Sequence, residues 1–242
     1  WNGSFAQKAY VQSQGAGLSS NPETAGHYYT AKRSAEIFKL FEDRFGVNST
    51  RLVKVLGAQW GSTSVATDIL TAFGQSSINS SGVTANALAI GPYFGNGIAD
   101  DIVTNGEVNS VTVDQILDRL RNTSSTAIFN PTRLSAISSH KTLATTNGLE
   151  LIAYEGGQHL APNTTNQSNT VLVSKLTQTN RDPRMYDLYR EYLDKWFDTT
   201  QGVFVHFLYT DYPSSAGFWG ALETQNQPLS EAHKYRALVD SS

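Results

Sequence analysis

The sequence predicts an α/β fold, a parallel sheet covered by helices, and within that class half of a TIM-type (β/α)8 barrel. Three observations predict it. Strand-like runs alternate with helical runs along the chain instead of being segregated from them. Those runs are apolar on both faces, as strands sandwiched between helix layers are. Four strand–helix units also fill all 242 residues. An eight-stranded barrel of such units would be about twice as long, while compact barrels take about 250 residues. No low-complexity linker or short repeat divides the chain, so residues 1–242 are read as one half-barrel without an internal boundary.

Each element has its own signal. "NPETAGHYYTAKRSAEIFKLFEDRFG" opens on Asn-Pro, places Ala25, Tyr28, Tyr29, Ala35, Ile37, Phe38 and Phe41 on one side, and stops at Gly46. "RLVKVLGAQW" (Arg51–Trp60) reads as the first strand and "STSVATDILTAFG" as a short helix. "ALAIGPYFG" (Ala87–Gly95) is the second strand, followed by "SVTVDQILDRLRN", a helix capped by Ser110 or Thr112. A helical stretch over "NPTRLSAISSHKTLATTNG" ends at Gly148 and gives way to the third strand, which begins at Leu149. After the polar loop "APNTTNQSN" come a helix over "TVLVSKLTQTN" and a longer one over "DPRMYDLYREYLDKWFDTTQG". The longer one has Asp182 as N-cap, Pro183 at its first position and Gly202 as stop. "VFVHFLYTDY" is the fourth strand, and "EAHKYRALVD" closes the chain as a helix.

Composition excludes several classes. With 18 Lys plus Arg against 21 Asp plus Glu there is no basic stripe to neutralise phosphates, so no nucleic-acid partner is expected. No apolar run approaches the roughly 20 residues that span a bilayer, so no membrane insertion is expected. The chain has no cysteine, which removes disulfides, thiolate metal sites and a cysteine nucleophile. Its five histidines lack a metal-ligand spacing, and no cofactor is expected. A Gly-x-Ser-x-Gly elbow and a Walker loop are both missing. Asn-x-Ser/Thr triplets at Asn2, Asn48, Asn79, Asn122, Asn163 and Asn166 suit a secreted protein. No initiator Met or leader precedes Trp1, so an upstream segment is expected to have been removed, processed or left out.

The segment "LELIAYEGGQH" (Leu149–His159) ends an apolar strand in a carboxylate. Alternate residues of a strand share a face, so Glu155 shares one with Leu149, Leu151 and Ala153, while Ile152 and Tyr154 face the other way. At the carboxyl end of a barrel strand such a carboxylate stands where βα folds place their chemistry. Gly156 and Gly157 would let the chain turn without crowding a ligand. The plainer reading is that a strand ends in a polar residue and Glu155 pairs with an Arg or Lys.

Several motifs carry a family resemblance. "WNGSFAQKAYVQSQG" with "YYTAKRSAEIFKLFEDRFG", then "AYEGGQH", "NRDPRMYDLYREYLDKW", "FVHF" and "FWGALE", resemble, in order, segments of a group of secreted (β/α)8 proteins related to clan A retaining glycoside hydrolases. The resemblance implies that the chain covers about strands 5–8 and that Glu155 is the nucleophile of a retaining β-glycosidase. It also implies a partner acid/base Glu immediately upstream of Trp1-Asn2, with Asn2 at the substrate. Retaining hydrolysis uses two carboxyl groups about 5 Å apart, one ionised and one protonated. Glu107, Glu223 and the Asp100-Asp101 pair are read as loop caps or solvated charges and not as replacements for that acid.

Tyr93 resembles the aromatic kept beside the nucleophile, although a core-capping Tyr reads the same way. His159 is placed to meet a sugar hydroxyl or to orient the loop. Gln59, Trp60 and Trp219 are the remaining candidate substrate contacts, the tryptophans as flat platforms for sugar rings or as ordinary packing. His206, within a strand, is read as a core histidine. Two functions follow: hydrolysis of β-glycosidic bonds, completed by the missing amino-terminal half or another chain, or carbohydrate binding and assembly without turnover. A half-barrel also exposes strand edges and is not expected to persist as a lone monomer.

Overall fold

The computed structural model describes residues 7–241. They fall into two compact units, 7–91 with 138–154, and 92–137 with 155–241.

The first unit holds the sheet. Helix α1 (Gln7–Gln14) packs on α2 (Pro22–Phe45), whose N-cap Asn21 accepts from the Glu23 and Thr24 amides, with Pro22 at the first position. Its buried apolar residues are small, Ala25, Gly26, Ala31 and Ala35; it packs on α3 (Thr63–Phe73) as well as on α1, and at Gly26 an added Cβ would lie 3.1 Å from Val11 of α1. Of the side expected to be apolar, Ala25 and Ala35 are buried, Tyr28, Tyr29 and Phe38 are half-buried with Phe38 edge-on to Phe73 of α3, and Ile37 and Phe41 lie exposed, as do Leu40 and Phe45. Strands β1 (Val55–Gly57), β2 (Ala87–Ile90) and β3 (Glu150–Ala153) form a parallel sheet in that order. Leu56 registers with Leu88 and Leu88 with Leu151, a row of buried leucines across the sheet. β3 alternates as expected, with Leu151 and Ala153 buried and Glu150 exposed.

Beneath these strands, Lys54 and Glu42 form a buried ion pair, with side chains 8% and 5% exposed. Asn79, in one of the Asn-x-Ser triplets, is buried, and its amide donates to the carbonyls of Phe73 and Val83. That triplet is a structural cap and not an accessible glycan acceptor.

The second unit is helical: α4 (Ile98–Thr104), α5 (Val113–Asp118), α7 (Thr170–Arg181), α8 (Met185–Thr200) and α9 (His233–Asp240). Helix α6 (Pro131–Thr146) begins in this unit and ends in the first. Thr112 caps α5 through a reciprocal box with Gln115, and the helix widens into a π turn over Arg119–Thr123. The core joins Phe94, Ile98, Ile102, Ile116, Leu172, Leu188, Tyr189, Tyr192 and Phe218. Asp182 follows the end of α7 instead of capping α8; its carboxylate accepts from the Arg184 amide at 3.0 Å, and α8 starts at Met185. α8 stops at Gln201, with φ of 53°, and not at Gly202.

These elements overturn the half-barrel. The described residues are about 48% helix with a small three-stranded sheet, and a fourth sheet strand is missing from them. The segment expected to supply it, 203–212, does alternate in exposure, but its backbone pairs mainly with the loop that follows it, with Phe207 donating to the Gly156 carbonyl. Leu208 donates to the Trp219 carbonyl, and the Leu208 and Tyr209 carbonyls accept from Ala221 and Leu222. Beyond the turn at Ser214–Gly217 the chain makes this pairing in parallel, and it shows as an isolated bridge of Thr210 with Leu222 in place of a ladder.

Candidate functional site

Glu155 lies two residues past β3 and is half-buried. Its carboxylate has no hydrogen-bond or ion-pair partner among the described residues, so the plainer expectation of an Arg or Lys partner finds none there.

The loop that follows is fixed at nearly every residue. The Gly156 carbonyl accepts from Phe207 at 2.9 Å and the Gly157 carbonyl from Phe94 at 3.0 Å. The His159 amide donates to the Phe94 carbonyl at 2.7 Å. Gln158, 1% exposed, donates its amide N–H to the Tyr189 hydroxyl at 3.1 Å, and its side chain bridges the Phe218 carbonyl (2.7 Å) and the Leu160 amide (2.6 Å). The two glycines serve this packing rather than opening space for a ligand. A Cβ on Gly156 would sit 2.7 Å from the Phe204 ring and 2.8 Å from the Tyr192 hydroxyl; one on Gly157, at φ 138°, would meet His206 at 3.0 Å.

Three of the expected site residues meet in this unit. The rings of Tyr93, His159 and Trp219 form a mutually edge-on cluster, with centroids 5.6 Å (Tyr93–His159), 6.2 Å (Tyr93–Trp219) and 4.8 Å (His159–Trp219) apart. All three are half-buried, and Phe207 adds an edge contact to Trp219 at 6.1 Å. Burial lowers the His159 pKa, which keeps the ring neutral, and its Nδ1 is buried without a partner among the described residues.

Behind the cluster lies support that the sequence reading did not single out. Buried Arg133 donates to the Pro92 carbonyl at 2.8 Å and, at 3.4 Å, to that of Tyr93, while its guanidinium lies 5.0 Å over the Tyr192 ring. The Tyr192 hydroxyl donates to the same Pro92 carbonyl at 2.9 Å. Tyr189 and Tyr192 sit three apart on α8, which is a readable signal for one buried helix face. Arg133 gave no such signal, because an Arg in a polar stretch reads as solvated. The Tyr189 hydroxyl lies 3.2 Å from His206 Nε2, and burial drives the His206 pKa down to about 3, so His206 is a neutral packing histidine.

No family model matches the sequence, and no curated protein or solved structure matches it. The resemblance to clan A hydrolases rests on the quoted motifs alone.

Gln59 and Trp60 belong to the first unit, where the exposed Gln59 accepts from His140 through its carbonyl and joins His27, Ser62 and Ser64 around a cleft of about 330 Å³. Asn2 lies outside the described residues. Three of the other carboxylates considered are engaged: Glu107 with Arg119 at 2.7 Å, Glu223 with both nitrogens of an Arg181 fork at 2.7 and 2.8 Å, and Asp100 with the Asn166 side chain at 2.9 Å. Asp100 and Asp101 lie in the first turn of α4 and not in a loop. Among the described residues no group of three His, Asp or Glu is arranged to hold a metal.

Proposed function

We propose that the second unit binds carbohydrate at the Tyr93–His159–Trp219 cluster. The observation that carries this reading is the meeting of three half-buried rings, flat apolar surfaces suited to the C–H faces of a sugar, one of them a neutral imidazole. Glu155, on the same loop four residues before His159, adds a carboxylate able to accept from further hydroxyls.

Binding is favoured over turnover because retaining hydrolysis needs two carboxyl groups about 5 Å apart. Glu107, Glu223 and Asp100 are already engaged. The second reading, hydrolysis with Glu155 as nucleophile and an acid supplied from outside the described residues, is favoured by the unpartnered Glu155 carboxylate.

One experiment separates them. The protein is incubated with soluble β-linked polysaccharides, and both retention on the polymer and release of reducing ends are measured for wild type and Glu155→Gln. Retention without product supports binding. Product that disappears in Glu155→Gln supports hydrolysis, and neither retention nor product would sink both. The proposal places the protein outside the cell, with the exposed Asn48 and Asn163 as glycan acceptors. A mass unchanged by deglycosylation of the natural protein would count against those acceptors.

A further inference from the structure

Lys234, the second residue of α9, is 8% exposed and has no carboxylate within hydrogen-bond reach among the described residues. Its Nζ donates to the Phe218 carbonyl at 2.6 Å, with Asn180 Oδ1 3.4 Å away. The same Phe218 carbonyl accepts from the Gln158 side chain at 2.7 Å. One buried oxygen therefore ties α9 to two points of the ring cluster at once, because His159 follows Gln158 and Trp219 follows Phe218.

We propose that Lys234 is a positioning residue for the carbohydrate site, and that its protonation sets how firmly the His159 and Trp219 rings are held together. An ammonium donating to a carbonyl makes a charge-assisted bond, roughly twice as strong as that from a neutral amine. Loss of the proton therefore loosens the Phe218 carbonyl without freeing it, since Gln158 still donates.

The surroundings allow the change to occur near neutrality. Burial pushes the Lys234 amine down to about 7, against the pull of Glu223 and Asp211. Arg181, on α7, neutralises Glu223, and Glu231 and His233 line the same narrow space, about 20 Å³. His206 is also within electrostatic reach of Lys234 and stays neutral. From α8, which packs on α9, Tyr186 and Arg190 reach Asp240 at the far end of the helix. The histidines titrate lower: His159 and His233 below 6.5, and His206 at about 3.

The test does not depend on a ligand. In the full chain, the Trp219 indole N–H and the Gln158 side-chain amide are followed by 15N NMR from about pH 5.5 to 9, a range set to bracket a lysine depressed by burial. The expected result is one midpoint near 7 shared by both signals, lost in Lys234→Met and held at the low-pH position in Lys234→Arg. Should the Met variant not fold, the Arg variant decides alone. An unchanged titration in either variant, or no titration in wild type, would overturn the proposal. Its functional consequence rests on the carbohydrate reading. If the signals titrate as expected but no saccharide binds at any pH, the clamp stands and that reading fails.

Discussion

A single methyl group at Gly156 tests whether the loop carrying Glu155 is a packed element or an open one. In Gly156→Ala the new Cβ would lie 2.7 and 2.9 Å from two Phe204 ring carbons and 2.8 Å from the Tyr192 hydroxyl. Both neighbours are held by other contacts. Tyr192 is 1% exposed, its hydroxyl donates to the Pro92 carbonyl, and its ring lies under the Arg133 guanidinium. Phe204 is wedged edge-on between Tyr192 at 5.4 Å and Trp196 at 5.8 Å. Forcing a methyl into a filled site costs about 1–3 kcal/mol. In a protein of this length each kcal/mol lowers the Tm by about 2–4 °C, so a drop of about 2–12 °C is expected by calorimetry. A Tm within about 1 °C of wild type, well inside the cost of any overpacking, would refute the packed loop.

Other perturbations bear on separate parts of the chain. Lys54→Met strands the buried Glu42 carboxylate and should cost about 3–5 kcal/mol in denaturant unfolding, largely recovered in the Lys54→Met/Glu42→Leu double variant. An equally unstable double variant would show that the pair is not the cause. Gln201→Gly relieves a left-handed residue at φ 53° and should stabilise by up to about 1 kcal/mol, read as a higher urea midpoint. A lower midpoint would contradict it. Because the folded-state pKa of Lys234 falls from 10.5 to about 7, the unfolded chain binds more protons between those values, and this residue's contribution to stability rises with pH across that window. The stability difference between wild type and Lys234→Met should therefore move in favour of wild type from about pH 7 upward; a pH-independent difference would contradict the shift. The exposed rows Ile37, Leu40, Phe41 on α2 and Val203, Val205, Phe207, Tyr209 are apolar enough to predict self-association or a covering partner. Sedimentation as a stable 26.4 kDa monomer would count against that.

The sequence showed most of this architecture where local chemistry decides it. Asn21-Pro22 and Gly46 bound α2 as read, the Thr112 cap is present, and the three strands fall within the expected runs. Reading failed where long-range pairing decides. Residues 203–212 have strand composition and alternation, but whether such a segment joins a sheet depends on which partner takes its N–H and C=O groups, and here residues 219–222 and the Gly156 carbonyl do so. The Asp182-Pro183 signal belonged to the junction between α7 and α8, because the carboxylate bonds Arg184 before helix geometry begins. At the site, the aromatic residues were visible as types, and Tyr93, His159 and Trp219 do meet. Arg133 and Lys234 were not, because a buried cation looks like a solvated one until the carbonyls it serves are known.

The most direct test of the central claim is a calorimetric titration of wild type and Trp219→Ala with a series of soluble β-linked oligosaccharides at pH 6.5. The account predicts saturable binding to wild type, weakened by about tenfold or more when the ring is removed, as expected from the loss of about 1.4 kcal/mol of contact. Binding unaffected in a folded Trp219→Ala protein would put the ligand elsewhere. No binding to wild type across the series would contradict the carbohydrate reading itself.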